Sequence, residues 1–162
     1  MALILKDRVK ESIFNSISPY LHGSKVLDLF GGSGSLGIEA ISRGSEFCEF
    51  VDVNNIACKT MKENIKNLKI EDKTTVIQSN YEDYLKSCTK KFDIILLDPP
   101  YQLEVLDDII NLIQSYKLLD DNGIIVCLYG KNYSLKEDIN GIIEYKQKNI
   151  GITKVSFMKW GI

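Results

Sequence analysis

The chain has 162 residues, of which 44% are hydrophobic and 26% are charged, and its formal net charge is −2. This length and composition are typical of one globular domain with a full core, and they exclude a disordered or fibrous chain. Because the apolar runs are far shorter than the roughly 20 residues of a membrane helix, and the N-terminus lacks the pattern of a signal peptide, we expect no membrane segment and a cytoplasmic location.

Apolar runs and helical periodicities alternate along the chain. Residues 6–21 carry apolar side chains at helical spacing, which predicts an amphipathic helix that ends near Pro19. The last 30 residues are typical of a hairpin that turns at Gly151. Between these ends, strands are predicted at "KVLDLF", "FCEFVDV", "TTVIQS", "FDIILL" and "GIIVCLYG", and helices at "SLGIEAISRG", "NNIACKTMKENIKNLKI", residues 80–86 and "LEVLDDIINLIQSYKLL".

This alternation predicts an α/β fold with a mostly parallel sheet and helices on both faces. We expect a single domain over residues 1–162, with an N-terminal helix (1–24), a ligand-binding and catalytic core (25–129) and a C-terminal hairpin that completes the sheet (130–162). In such folds ligands bind outside the carboxyl ends of the strands, and every candidate motif falls there.

The glycine-rich stretch "LDLFGGSGSLG" (27–37) follows the first strand and opens a helix. Its spacing, Gly32-x-Gly34-x-x-Gly37, allows a ligand to approach the backbone N–H groups and is typical of a dinucleotide site. The carboxylate of Asp28 would repel a pyrophosphate, whereas it would favour the ammonium and sulfonium groups of S-adenosylmethionine. Electrostatics therefore favours S-adenosylmethionine over NAD.

Two further polar residues follow the next two strands. Asp52 stands at the end of strand two, where a carboxylate can accept both ribose hydroxyls, and this fits either cofactor. Asn80, after strand three, is predicted with equal weight to contact the adenine edge or to cap the following helix.

The tetrapeptide "DPPY" (98–101) ends strand four at the same edge of the sheet. An exocyclic base amine is a poor nucleophile, because its lone pair is delocalised into the ring. The Asp98 carboxylate and the Pro99 carbonyl, in a backbone stiffened by Pro100, can each accept one N–H and turn the lone pair toward a methyl group. Tyr101 offers a face on which an extruded base stacks. This chemistry requires no metal.

The cysteines, the histidine and the distribution of charge give little further evidence about function. The four cysteines are scattered without a C-x-x-C pair and the chain has one histidine, so we predict reduced structural thiols and no metal site. Basic residues are in excess at the two ends of the chain and acidic residues in the middle, which is weak evidence for a basic surface built from the termini.

Together, Asp-x-Phe-x-Gly-x-Gly-x-x-Gly (28–37), Asp52 and "DPPY" resemble the class I S-adenosylmethionine-dependent amino-methyltransferases. "DRVKESIFNSI" and "GITKVSFMKW" are similar to the RsmD family, bacterial enzymes that methylate guanine N2 in 16S ribosomal RNA. The resemblance covers nearly the whole chain. It implies a Rossmann-like seven-stranded sheet with an antiparallel last strand, and a monomer that acts on ribosomal RNA, with the target presented by folded RNA or an assembling small subunit.

The site residues that the motifs and this resemblance imply fall into three groups. The catalytic residues are Asp98, Pro99, Pro100 and Tyr101. The cofactor residues are Asp28, Phe30, Gly31, Gly32, Ser33, Gly34, Gly37, Asp52, Val53, Asn80 and Tyr81. The RNA-binding residues are Lys6, Arg8 and Lys10.

The chain departs from the family pattern at three places. It begins without the longer arm that carries Arg-Pro-Thr, it has Asn54 in place of a second acid after strand two, and "VCLYG" lacks the glutamate often found on strand five. Alternative hypotheses are methyl transfer to adenine N6 or to a protein glutamine amide, both of which usually use Asn in place of Asp98, and a non-catalytic RNA-binding assembly factor. NAD-linked hydride transfer would leave "DPPY" unexplained.

Overall fold

The computed structural model describes residues 2–161, with side chains from residue 7 onward. Helices and strands alternate through the first two thirds of this range, as the sequence predicts, and strands dominate the last third. The elements are α1 (Ala2–Leu21), β1 (Lys25–Leu29), α2 (Ser35–Ser42), β2 (Phe47–Asp52), α3 (Asn55–Asn67), a 3₁₀ turn (Glu71–Lys73), β3 (Thr74–Gln78), α4 (Tyr81–Ser87), β4 (Phe92–Leu97), α5 (Leu106–Ser115), β5 (Leu119–Gly130), β6 (Asp138–Ile139), β7 (Ile142–Ile150) and β8 (Thr153–Trp160).

The strands of the described residues form one sheet in the order β3-β2-β1-β4-β5-β8-β7-β6. Strands β1 to β5 run parallel, and β8 runs antiparallel to β5 and β7. The predicted mostly parallel sheet with an antiparallel last strand is therefore confirmed. The predicted number of seven strands is wrong, because Asp138–Ile139 adds an eighth at the edge. Two residues are too few to show the alternation from which a strand is predicted.

Helices cover both faces of the sheet. We call the face covered by α1, α2 and α3 the α1 face, and the face covered by α4 and α5 the α5 face. The apolar side of α1 is buried on the first, as the helical spacing predicts, and contributes Val9, Ile13, Phe14, Ile17 and Leu21. Four apolar residues of α5 are buried on the second, namely Leu106, Ile109, Ile110 and Ile113. Each face therefore excludes water from one side of the central strands.

Two element boundaries differ from the prediction. Helix α1 continues past Pro19 to Leu21, whose side chain is buried against the sheet while the proline is exposed. Strand β5 begins at Leu119, where the sequence predicts the end of a helix, whereas the strand is predicted only from Gly123. Leu119 pairs with Phe92, and its carbonyl accepts a hydrogen bond from the indole N–H of Trp160 at 3.1 Å. Tertiary pairing thus extends a strand through residues of low β-propensity.

A buried carboxylate links β2 to the α5 face. Glu49 accepts hydrogen bonds from the Tyr84 hydroxyl and from the Lys90 ammonium group, and its side chain is almost fully buried. Such a charge requires partners, because an unpaired buried carboxylate is costly. The contact fixes α4 against the second strand.

The cysteines are free thiols, and three of them, Cys48, Cys58 and Cys127, are buried in the core. Among residues 2–161, none of the helices combines the length and the apolarity that a membrane crossing requires.

Candidate active site

Three loops leave adjacent strands at the same level of the sheet. In the register of the central strands, Leu29 of β1 lies beside Val51 of β2 and beside Leu97 of β4. The next residues, Asp52, Phe30 and Asp98, therefore lie side by side at the starts of their loops. Phe30 is in the middle, one strand spacing of about 4.8 Å from each of the two aspartates. The sequence predicts that the glycine loop, Asp52 and "DPPY" share one edge, and the strand register places them there.

The glycines of the loop meet different requirements. Gly34 is the N-cap of α2 with φ +86°, a left-handed conformation that favours glycine. At Gly37 a Cβ would lie 2.4 Å from the Phe50 ring and 2.7 Å from the Cys48 sulfur, so α2 packs closely on β2 only without a side chain there. At Gly32, with φ +60°, a Cβ would have no atom within 4 Å. Gly32 therefore borders open space, as a ligand-facing residue would.

Asp28 supplies the helix cap that Gly34 lacks. Its side chain is only 1% exposed and points into the α1 face, where Oδ2 accepts the Gly37 N–H at 3.0 Å. Burial raises the pKa of Asp28 well above its usual value, the Gly37 hydrogen bond partly counters this, and the charges of Asp98 and Asp52 raise it further. Because it is buried, Asp28 offers a ligand no exposed contact. The carboxylates of Asp52 and Asp98 lie at the same edge, and they favour a cation over a pyrophosphate.

Asp52 connects strand two to the glycine loop. Its Oδ2 accepts the Gly32 N–H at 3.0 Å and its Oδ1 accepts the Asn54 N–H at 2.9 Å. Each carboxylate oxygen has a second lone pair that can accept a ribose hydroxyl. Asn54, which replaces the second acid of the family pattern, caps α3 by accepting the Ala57 N–H at 3.0 Å.

The tetrapeptide "DPPY", which is the predicted catalytic loop, follows β4 without a break. Asp98 is half-buried, Pro99 is buried, and Pro100 and Tyr101 are exposed. The Leu103 N–H donates to the Pro100 carbonyl at 2.9 Å, which closes a turn directly after the tetrapeptide. The tetrapeptide thus presents a carboxylate beside the cofactor loop and a tyrosine ring to the solvent.

Tyr101 is held by two residues that sequence reasoning did not identify. Its hydroxyl shares a hydrogen bond of 3.0 Å with the Thr153 hydroxyl at the start of β8. Its ring packs over Gly130 at the end of β5, where an added Cβ would lie 3.3 Å from ring atom Cδ2. Gly130 ends "VCLYG" and Thr153 lies in "GITKV", but neither local sequence indicates a contact with Tyr101, which is far away in the chain.

Two of the predicted cofactor residues, Phe30 and Tyr81, contact each other. Phe30 has φ +67°, an unusual conformation for a bulky residue, and its ring packs on Tyr81 with centroids 6.0 Å apart. The Tyr81 hydroxyl donates to Asp108 at 3.0 Å; burial, and then this contact, raise the pKa of Tyr81 to about 12. Val53 is 64% exposed.

Two predicted cofactor residues already make contacts within the protein. Asn80 caps α4 by accepting the Asp83 N–H at 2.8 Å. Of the two predictions for Asn80, a helix cap or a contact with the adenine, the structure shows the helix cap. The Ser33 carbonyl accepts a hydrogen bond from the Asn64 amide at 3.0 Å, which holds the loop against α3.

The predicted RNA-binding residues lie near the start of α1. Arg8 is exposed, and the Lys10 ammonium group lies 3.3 Å from the Ser35 hydroxyl and 3.7 Å from Glu39. This contact joins α1 to the first residue of α2, next to the glycine loop. The side chain of Lys6 lies outside the described residues. In the part of the chain that the structure describes, no group of three or more His, Cys, Asp or Glu could hold a metal ion.

The chain is similar to known proteins along most of its length. The profile of the family described as "Conserved hypothetical protein 95" matches residues 5–159. "Putative rRNA methyltransferase YlbH" of Bacillus subtilis strain 168 is 40% identical over 94% of this chain and 85% of its own length. "Ribosomal RNA small subunit methyltransferase D" of Haemophilus influenzae is 34% identical over 86% of this chain and 79% of its own length.

A solved structure of a conserved hypothetical protein from Streptococcus pyogenes has the same architecture. Its TM-score is 0.87 at 36% sequence identity, and the match covers 92% of this chain and 93% of that one.

Proposed function

Because this chain belongs to the RsmD family, we propose that it transfers a methyl group from S-adenosylmethionine to guanine N2 in small-subunit (16S) ribosomal RNA. The observation that carries this proposal is the shared register of β1 and β4, which brings Asp98 beside the glycine loop. A base amine bound at Asp98 would then lie next to a cofactor bound at that loop.

The residues at this edge fit S-adenosylmethionine. Asp52 and Asp98 follow neighbouring strands there, and their carboxylates favour its ammonium and sulfonium groups. Gly32 leaves open space at the loop, and Asp52 has lone pairs for the ribose hydroxyls. When bound, this cofactor supplies an electrophilic methyl group on a cationic sulfur.

The protein's part in the reaction is to position the amine. The Asp98 carboxylate and the Pro99 carbonyl each accept one N–H of the amine, so that its lone pair turns out of the ring plane toward the methyl carbon. A cofactor bound at the glycine loop would give up its methyl group to this nitrogen and would leave as a neutral thioether that keeps the electrons of the carbon–sulfur bond. One amine proton leaves through Asp98 toward solvent. Tyr101, fixed by Thr153 and Gly130, stacks on the extruded base.

The setting of the reaction is part of the same proposal. Lys10 contacts Ser35 next to the glycine loop, Arg8 is exposed on the same helix, and both would contact RNA phosphates. We infer that residues 1–162 act as one domain and as a monomer in the cytoplasm, and that folded RNA or an assembling small subunit presents the target base.

A methyl-transfer assay with labelled S-adenosylmethionine tests the proposal. The substrates are naked small-subunit RNA and partly assembled subunits, followed by nucleoside analysis of the product. We expect N2-methylguanosine, and a loss of about 100-fold or more in kcat for Asp98→Ala, which removes a group that stabilises the transition state. Asp72→Ala, which removes an exposed carboxylate from the 3₁₀ turn, is the matched control. Methylated adenine would refute the substrate, and full activity of Asp98→Ala would refute the mechanism.

A further inference from the structure

Two lysines of β7 lie against α1, away from the catalytic loop. The Lys148 ammonium group donates to the Ser12 hydroxyl at 3.0 Å, and the Lys146 ammonium group donates to the Ser16 hydroxyl at 3.4 Å. The serines are one helical turn apart, about 6 Å, and the lysines are two strand positions apart, about 6.6 Å. We call these four residues the lysine seam.

A β-bulge places both lysines on the α1 face. Before the bulge, Glu144 of β7 pairs with Met158, which belongs to the core of the α5 face; after it, Lys146 pairs with Phe157, which belongs to the core of the α1 face. Tyr145 is the extra residue. Without it, the alternation of the strand would turn both lysines to the opposite face. The seam therefore depends on a specific irregularity of the strand.

The seam carries positive charge that no carboxylate neutralises at close range. Both lysines hydrogen-bond to neutral hydroxyl groups, and in the described residues neither has an acidic oxygen within 4 Å. The ion pairs there involve other residues, namely Lys10–Glu39, Arg43–Glu39 and Lys90–Glu49. A chain with a net charge of −2 thus keeps two adjacent, unneutralised cations beside α1.

The seam leads toward the candidate active site. Helix α1 runs from the carboxyl edge of the sheet to its amino edge, since Leu21 precedes the start of β1, and β7 runs the opposite way. Lys146 and Lys148 therefore follow one another toward the carboxyl edge along the flank of α1 that contacts β7, whereas Lys10 lies on the other flank, where it contacts Ser35 of α2. A polyanion lying along the seam would reach the carboxyl edge of the sheet, where the candidate active site lies.

We propose that the lysine seam binds the phosphate backbone of the RNA segment that leads into the active site. This inference rests on the proposed action on RNA. Lysine ammonium groups on flexible stems bind phosphates without reading sequence, and a row of them tracks a nucleic acid strand. The seam thereby extends the basic surface of α1 onto the C-terminal hairpin.

The test is the salt dependence of RNA binding by the double variant Lys146→Gln/Lys148→Gln. Glutamine keeps much of the stem and can still donate to the serines, so the variant removes charge rather than packing. The probe is fluorescein-labelled small-subunit RNA fragments, with Kd measured by anisotropy at several salt concentrations. The matched control is Lys66→Gln/Lys73→Gln, which removes two exposed charges at the amino edge. Thermal unfolding of both variants confirms that each is folded.

The plot of log K against log salt has a negative slope. We expect the double variant to make it shallower, by about 1.4 for two lost contacts to single-stranded RNA or about 1.8 for a duplex. The control should keep the wild-type slope. A seam variant with the slope of the control would overturn the inference, as would a loss of affinity for assembled subunits but not for naked RNA, which would point to a protein partner.

The two proposals fail in different ways. Salt-dependent binding that the seam variant weakens, without methyl transfer by the wild type, would refute the proposed function alone. Methyl transfer by the wild type with an unchanged slope in the variant would refute the seam alone, and a wild type that binds no RNA would refute both.

Discussion

Gly37→Ala tests whether the third glycine of the loop serves packing rather than ligand approach. Gly37 lies in the first turn of α2 and its φ is not in the left-handed region, so alanine meets no backbone strain there. The cost is steric, because the new methyl would lie 2.4 Å from Phe50 and 2.7 Å from Cys48, both fully buried. A contact this short forces Phe50, Cys48 or α2 to shift within the core.

The magnitude follows from two opposing effects. Overpacking of a buried site costs up to about 3 kcal/mol, whereas alanine in place of glycine in a helix regains about 1 kcal/mol. We therefore expect Gly37→Ala to lose about 2 kcal/mol of unfolding free energy. For a chain of this length that corresponds to a Tm lower by about 4–8 °C.

Thermal unfolding followed by circular dichroism measures the loss, and calorimetric titration with S-adenosylhomocysteine measures the ligand site. Gly32→Ala is the matched comparison, because its methyl enters open space and its cost is mainly the left-handed backbone, about 1–2 kcal/mol. We expect Gly32→Ala to weaken ligand binding more than Gly37→Ala does. An unchanged Tm for Gly37→Ala together with lost ligand binding would refute the packing argument.

Three further predictions follow from buried or bridging polar groups. Because the pKa of Asp28 is raised in the folded state, the stability that this group contributes is present below its usual pKa near 4 and is lost as pH rises through the raised value. Asp28→Asn should remove this pH dependence of the unfolding free energy, measured in urea between about pH 4 and 8. The same pH profile in the variant and the wild type would contradict the prediction. Tyr101→Phe and Thr153→Val should each lower kcat/KM for RNA about 3- to 10-fold, and the double variant should lower it no further, because the two residues share one hydrogen bond. Tyr116→Phe, at the opposite edge of the sheet, is the control and should leave kcat/KM unchanged. Additive losses would exclude the shared hydrogen bond. Glu49→Ala should lower the unfolding free energy by about 1–3 kcal/mol, measured in urea, because its buried tyrosine partner loses its acceptor; wild-type stability would show that water replaces the carboxylate.

The parallel core of the fold could be predicted from the sequence because each of its strands is a short apolar run bounded by glycine, proline or polar residues. Prediction failed where pairing alone defines a strand. The residues Asp120 to Asn122 are polar and become part of β5 because the strand begins at Leu119 beside Phe92. The two residues of β6 have no pattern of their own.

The site could be predicted in its parts but not in its connections. Glycine spacing located the loop between β1 and α2, and "DPPY" located the loop after β4, because both are local features at strand ends. The contact of Tyr101 with Thr153 joins residues 52 positions apart, and the register that joins them depends on β8 entering between β5 and β7. The bulge at Tyr145, on which the lysine seam depends, likewise becomes visible only when the two strands are paired.

The position of β8 also affects how the molecule opens. This strand, although it is the last in the chain order, is hydrogen-bonded on both sides, to β5 and to β7. Local fraying can release β6 or β3 at the sheet edges, but it cannot free β8 without breaking two ladders at once. The amide protons of β8 should therefore be among the slowest to exchange with deuterium, and the hairpin that holds Tyr101 should open only with the whole sheet.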